Sequence, residues 1–218
     1  MNTNSVAELL PLLVVVVAIG LLPFVAMMVT CYTKIVVVLG LLRNALGVQQ
    51  VPPNMVINGI AIIVSAYIMA PIAMDTLDNI RARGPAGSTA SQVEQVVEAA
   101  QEPVRKFLDK HAQPREKAFF LKSASAVWPE ARAKALKSDD LIVLAPAFTL
   151  SELTAAFKIG FLLYLAFVVV DLIIANILMA MGLSQVTPTQ VAIPFKLLLF
   201  VVMDGWSTLV HGLVLTYR

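Results

Sequence analysis

The sequence predicts an all-α protein of membrane type: two long helical hairpins, each broken once, joined by a polar helical segment. Three observations lead there. Uncharged runs reach or pass the roughly 20 residues a helix needs to cross a hydrocarbon core: Leu9 to Thr33, Asn44 to Met74, and Ile159 to Phe195 with Asp171 as its one charge. Charge is concentrated elsewhere, with 11 of the 16 Lys/Arg and 10 of the 14 Asp/Glu between Asp75 and Leu150. Each apolar half is interrupted once, by GVQQVPPNMV (47–56) and GLSQVTPTQV (182–191), which agree in five of ten columns. With 59% hydrophobic and 14% charged residues, the chain departs from ordinary soluble composition in the same direction.

The first region, residues 1–74, is read as the N-terminal apolar hairpin. Its opening MNTNSVAE has no Lys or Arg, so the basic n-region of a signal peptide is missing and the first run is expected to be retained. In the first break Gly47 suits a helix C-terminus, and Pro53 with Asn54 suits a restart. The match to the second break leaves an internal repeat and a chance likeness of helix turns both open.

Residues 75–150 form the polar, amphipathic-helical segment. After the loop RARGPAGST (81–89), Ser91 with Glu94 three residues on reads as a capping box. Val93, Val96, Val97, Ala100, Val104, Phe107 and Leu108 then share a helix face, with Pro103 expected to kink it. A second amphipathic stretch starts after Pro114, carries Phe119 and Phe120, and stops near Trp128-Pro129. Such faces most often bury one another, so helix packing is preferred to a partner groove. No dense basic patch interleaved with aromatics is present, and nucleic acid is not an expected partner.

Residues 151–218 form the C-terminal apolar hairpin. Gly160, Tyr164, Asp171, Ala175 and Gly182 fall on one helix face, and small residues beside a carboxylate point that face at protein rather than lipid. An uncompensated carboxylate in hydrocarbon costs about 2.5 to 3.5 kcal/mol even on insertion scales, so Asp171 needs a partner or water. Outside the polar segment the cations are Lys34, Arg43, Lys158, Lys196 and terminal Arg218, and the anions are Glu8, Glu152, Asp171 and Asp204. That balance reads as ion pairing across helices or subunits, with Glu152, Lys196, Asp171, Asp204 and Arg43 as the candidate groups.

Catalytic readings find little support. Cys31 is the single cysteine, no Cys/His cluster has metal-ligand spacing, and no cofactor is expected. Walker glycine loops and a GxSxG elbow are missing. Lys196, Asp204, Ser207 and His211 share a wedge of about 80° on a continuous last helix, which raises an intramembrane serine protease. Asp204 and His211 would lie about 10.5 Å apart along that axis, too far for a triad. A proton-coupled transporter using Asp171 and Asp204 is the other rival.

Three stretches resemble a known family: LGLLRNALGVQQVPPNMVINGIAIIV (39–64), APAFTLSELTAAFKIGFLLYLAFVVVDLIIANILMAMGL (145–183) and IPFKLLLFVVMDGW (193–206). They are similar to the FliP/SctR proteins of the flagellar and injectisome type III secretion export apparatus. The likeness covers both apolar halves; residues 83–137 carry little of it. It implies a non-enzymatic, pore-forming subunit of the bacterial inner membrane, assembled in five copies with the Q/S-type and R/T-type gate subunits. It also implies contact with the large export-gate and switch-type subunits, and passage of unfolded secreted proteins. The polar segment is then periplasmic, and the apolar helices pack largely against neighbouring copies. By position, a methionine-rich constriction of flagellar relatives falls on Leu183, Ser184 and Gln185, beside Met179 and Met181. Here the methionine triplet is replaced by Leu-Ser-Gln, which favours an injectisome protein and a seal made by Leu183 with Met181 or by Gln185. Met179 and Met181 read equally well as flexible core fillers. The same resemblance marks Lys196 and Glu152 for bridges between adjacent copies.

Overall fold

The computed structural model describes residues 13, 16–17, 20–21, 23–84, 89–183 and 185–218. Among them the regular structure is helical: α1 (Pro23–Val29), α2 (Tyr32–Leu46), α3 (Asn54–Arg83), α4 (Thr89–His111), α5 (Pro114–Val127), α6 (Glu130–Ala135), α7 (Leu141–Ala180), α8 (Pro188–Val202) and α9 (Gly205–Leu215). Helices α3 and α7 are each long and apolar enough to cross a membrane. Two bent pairs qualify as broken spans, α1 with α2 at 78° and α8 with α9 at 61°.

The described chain divides into two compact units, residues 1–30 with 69–151 and residues 31–68 with 152–218. Helices α3 and α7 each contribute residues to both units, and the composition changes near residues 75 and 150 fall inside them rather than in linkers. In the first unit, Leu108, Val143, Leu144, Ala147 and Phe148 are fully buried, and Phe107 meets Phe148 with ring centroids 5.4 Å apart. The Asn79 amide donates to the Ala99 carbonyl at 3.1 Å, and the Gln95 amide to the Gly84 carbonyl at 2.7 Å, fastening α3 to α4.

Helix α4 corrects two expectations. Its described span is Thr89–His111, so Ser91 and Glu94 lie inside the helix instead of forming its cap. Its apolar face is also only half used. Phe107 and Leu108 are buried, whereas Val93, Val96 and Val97 are exposed. An amphipathic stripe is buried only where another element faces it, and here that happens at the C-terminal end.

In the second unit one core cluster is made by Leu42, Ala45, Leu46, Phe167 and Phe200, flanked by Val48 and Leu209. Gly160 lets α7 close on α2: a Cβ there would overlap the Leu41 side chain. This packing occupies one side of the helices only. In the most apolar stretch of α7 just 11% of residues are buried, and in that of α3 17%.

Candidate functional site

Three charged ties and one break form the candidate site, all within the second unit. In the first tie, Lys34 stands in the opening turns of α2 and Glu152 on α7. The Lys34 ammonium donates to Glu152 Oε1 at 3.1 Å, with both side chains about 95% shielded. Tyr217, just beyond α9, donates its hydroxyl to Glu152 Oε2. Its ring also lies under the ammonium, 3.7 Å from Nζ to centroid. The carboxylate thus has a cation on one oxygen and a phenol on the other, and the aromatic face adds attraction for the cation. Cys31 is buried beside this group.

In the second tie, Lys196 reaches from α8 to Asp171 Oδ2 at 2.6 Å and to the Ala45 carbonyl at 3.1 Å. The carbonyl is free to accept because α2 ends there, and the last carbonyls of a helix have no intrahelical donor. One ammonium therefore joins α2, α7 and α8. Its side chain is 4% exposed, against 39% for Asp171, whose Oδ1 is nonetheless buried without a hydrogen-bond partner.

The third tie closes the first break. Arg43, in the last turn of α2, donates to Asn54 Oδ1 at 2.6 Å and to the Pro52 carbonyl at 3.3 Å. A cation there also meets the negative end of the α2 dipole. Gly47 ends the helix in the left-handed region at φ 76°, its N–H donating to the Asn44 carbonyl.

The second break repeats that ending. Gly182 has φ 71°; its N–H donates to the Met179 carbonyl, while Leu183 N–H donates to the Leu178 carbonyl. The pair of bonds is a Schellman motif. Around it Met179, Met181, Leu183 and Gln185 are exposed, while Ser184 lies outside the described residues. Pro188 starts α8, where its missing N–H costs nothing.

Lys196 and Glu152 thus find partners inside the chain, Asp171 and Lys34. Asp204 joins none of these ties. The last apolar run is not one helix, contrary to the wedge drawn for Lys196, Asp204, Ser207 and His211. It bends at Met203-Asp204, where Asp204 takes the left-handed conformation at φ 49°. Lys196 is buried, whereas Asp204 and His211 are exposed. Among the described residues no His/Cys/Asp/Glu group is arranged to hold a metal ion. Sequence reasoning missed Tyr217, since a lone tyrosine after an apolar run carries no signal of the lysine it covers. It also missed the Ala45 carbonyl, which only tertiary packing presents.

The FliP family profile matches residues 15–213. The hypersensitivity response secretion protein HrcR of Ralstonia nicotianae is 67% identical over 213 residues, covering 97% of this chain and 98% of the relative. The Yop proteins translocation protein R of Yersinia pestis is 50% identical over 206 residues, 94% of this chain and 95% of its own. The virulence protein YscR of Salmonella typhimurium is 39% identical over 208 residues, at 95% and 96%. The profile and these relatives both run nearly end to end, and the chain belongs to the FliP family.

Proposed function

We propose that this chain is a core subunit of a type III protein-secretion export gate in the bacterial inner membrane. Copies of it pack around an axis, with the 182–190 loop at the narrow point. One observation carries the reading. The shielded lysines of the second unit are neutralised inside it, Lys34 by Glu152 and Lys196 by Asp171, while the long helices leave their apolar faces bare. Such a subunit is tied together inside and unfinished in its packing. It asks for neighbours of its own kind, or lipid, on most of its surface. The secretion and translocation named for its relatives fit a conduit for unfolded protein rather than a catalyst.

On this reading five copies assemble with the Q/S-type and R/T-type gate subunits. The large export-gate and switch-type subunits dock on the assembly, and the polar segment lies on the periplasmic side. Exposed Met179, Met181, Leu183 and Gln185 line the constriction, and energy comes from other components. Native mass spectrometry of the detergent-extracted protein, alone and with co-expressed gate subunits, tests it. The expected result is a multimer of this chain that grows when the other subunits are supplied; a monomer that never associates overturns the proposal.

A further inference from the structure

Lys158 and Asp204 stand out in the second unit, because among the described residues neither side chain has an ionic or hydrogen-bonded partner. Both are exposed, and each is set in apolar surface. Lys158 on α7 is bordered by Phe157, Phe161 and Leu162, and Asp204 by Val202 and Met203, all more than half exposed. Elsewhere in this unit Lys34, Glu152, Asp171 and Lys196 are paired. The left-handed backbone at Asp204 is a conformation that L-residues adopt at a cost. Its carboxylate also makes no capping bond to the N-terminus of α9, so the most local use of a carboxylate at that position is not taken.

We infer that Lys158 of one copy pairs with Asp204 of the next, the two apolar borders closing around the ion pair. This deepens the export-gate reading and rests on its self-association. Opposite single charges on one chain complement those of a second copy, and a contact that uses one such pair at a time runs head to tail, as a ring or a helical array. The levels are compatible. Glu152 is tied to Tyr217 and Asp171 to Lys196, so Lys158 and Asp204 both fall between these ties. Ile159, next to Lys158, lines one cavity with Met203 and Gly205, which flank Asp204, so the two charges stand at neighbouring levels and a lysine arm with a stagger between copies can join them. Enclosure by apolar side chains strengthens the attraction, because little water screens it.

Two measurements on the full-length protein in detergent decide the matter. In native mass spectrometry Lys158→Glu and Asp204→Lys are each expected to weaken self-association about tenfold or more, and the double exchange to restore it. Failure of the exchange to restore assembly, or wild-type assembly in the single variants, overturns the pair while leaving self-association standing. A wild-type chain that stays monomeric overturns the export-gate reading itself. Should the reversals misfold, Lys158→Cys and Asp204→Cys on separate chains, both with Cys31→Ser, are mixed and oxidised. A disulfide joining the two kinds of chain supports the inference, and its failure to form in assembled protein overturns it. A Lys158→Glu variant that loses bound anionic phospholipid yet assembles as wild type assigns Lys158 to a lipid phosphate and likewise overturns the pair.

Discussion

At the scale of single residues, the lysines are the groups on which the second unit turns. Removing one partner of a buried ion pair strands the other without solvent, at a typical cost of about 3 to 5 kcal/mol. Lys34→Met is expected to lose stability of that order, because Glu152 keeps only the Tyr217 hydroxyl. Lys34→Met combined with Glu152→Leu should recover most of it, since two apolar side chains leave no stranded charge. Urea titration in detergent, followed by circular dichroism, measures both. Lys196→Met should cost less, because Asp171 is 39% exposed and water can take over part of its solvation. Gly160 carries a steric requirement instead. A Cβ overlaps Leu41, so Gly160→Val is expected to destabilise by about 1 to 3 kcal/mol through forced separation of α7 from α2, read in the same titration.

Among elements, the breaks were the most legible feature of the sequence. Each break opens on a glycine, the residue that ends helices most easily, and Gly47 and Gly182 both adopt φ above 70° there. Glycine and proline act through their own backbone geometry, so no distant partner is needed to recognise them. Gly182→Ala would force an L-residue into the left-handed region at a cost of about 1 to 2 kcal/mol. Faster amide hydrogen exchange at Met181 to Leu183, with α8 still protected, is the expected sign. Helix α4 shows the opposite case. Its period of apolar residues identified a helix correctly but not which part of the stripe is covered, because coverage depends on Phe148 and the opening of α7. Val96 is exposed, so Val96→Ser should change stability by no more than about 0.5 kcal/mol. A larger loss in the urea titration would show that this face is covered.

For the molecule as a whole, bare apolar helices decide behaviour in solution. Surface of this kind associates with its own copies, with other subunits or with amphiphile. If the 182–190 loop stands at the axis of an assembly, Met181→Cys in a Cys31→Ser background is expected to crosslink neighbouring copies under mild oxidation. A cysteine at Val127, exposed in the polar segment's unit, should not crosslink. Equal crosslinking at both positions would argue for non-specific aggregation. Secretion by cells carrying the Met181→Cys chain should fall on oxidation and recover on reduction, because the bond would close the constriction.

The helical class, the membrane-type runs, both breaks and the roster of ionic groups are legible in the residues alone. Each of these depends on local geometry or on composition, which neighbouring residues specify. Only the tertiary structure decided who pairs with whom. Lys34 finds Glu152 118 residues away, and Lys196 finds Asp171 at 25 and the Ala45 carbonyl at 151. It also decided that the last run bends at Asp204 and that Val93, Val96 and Val97 stay uncovered. Coulomb attraction names no partner until packing has fixed distance and shielding, and a helix face carries no mark of what will cover it.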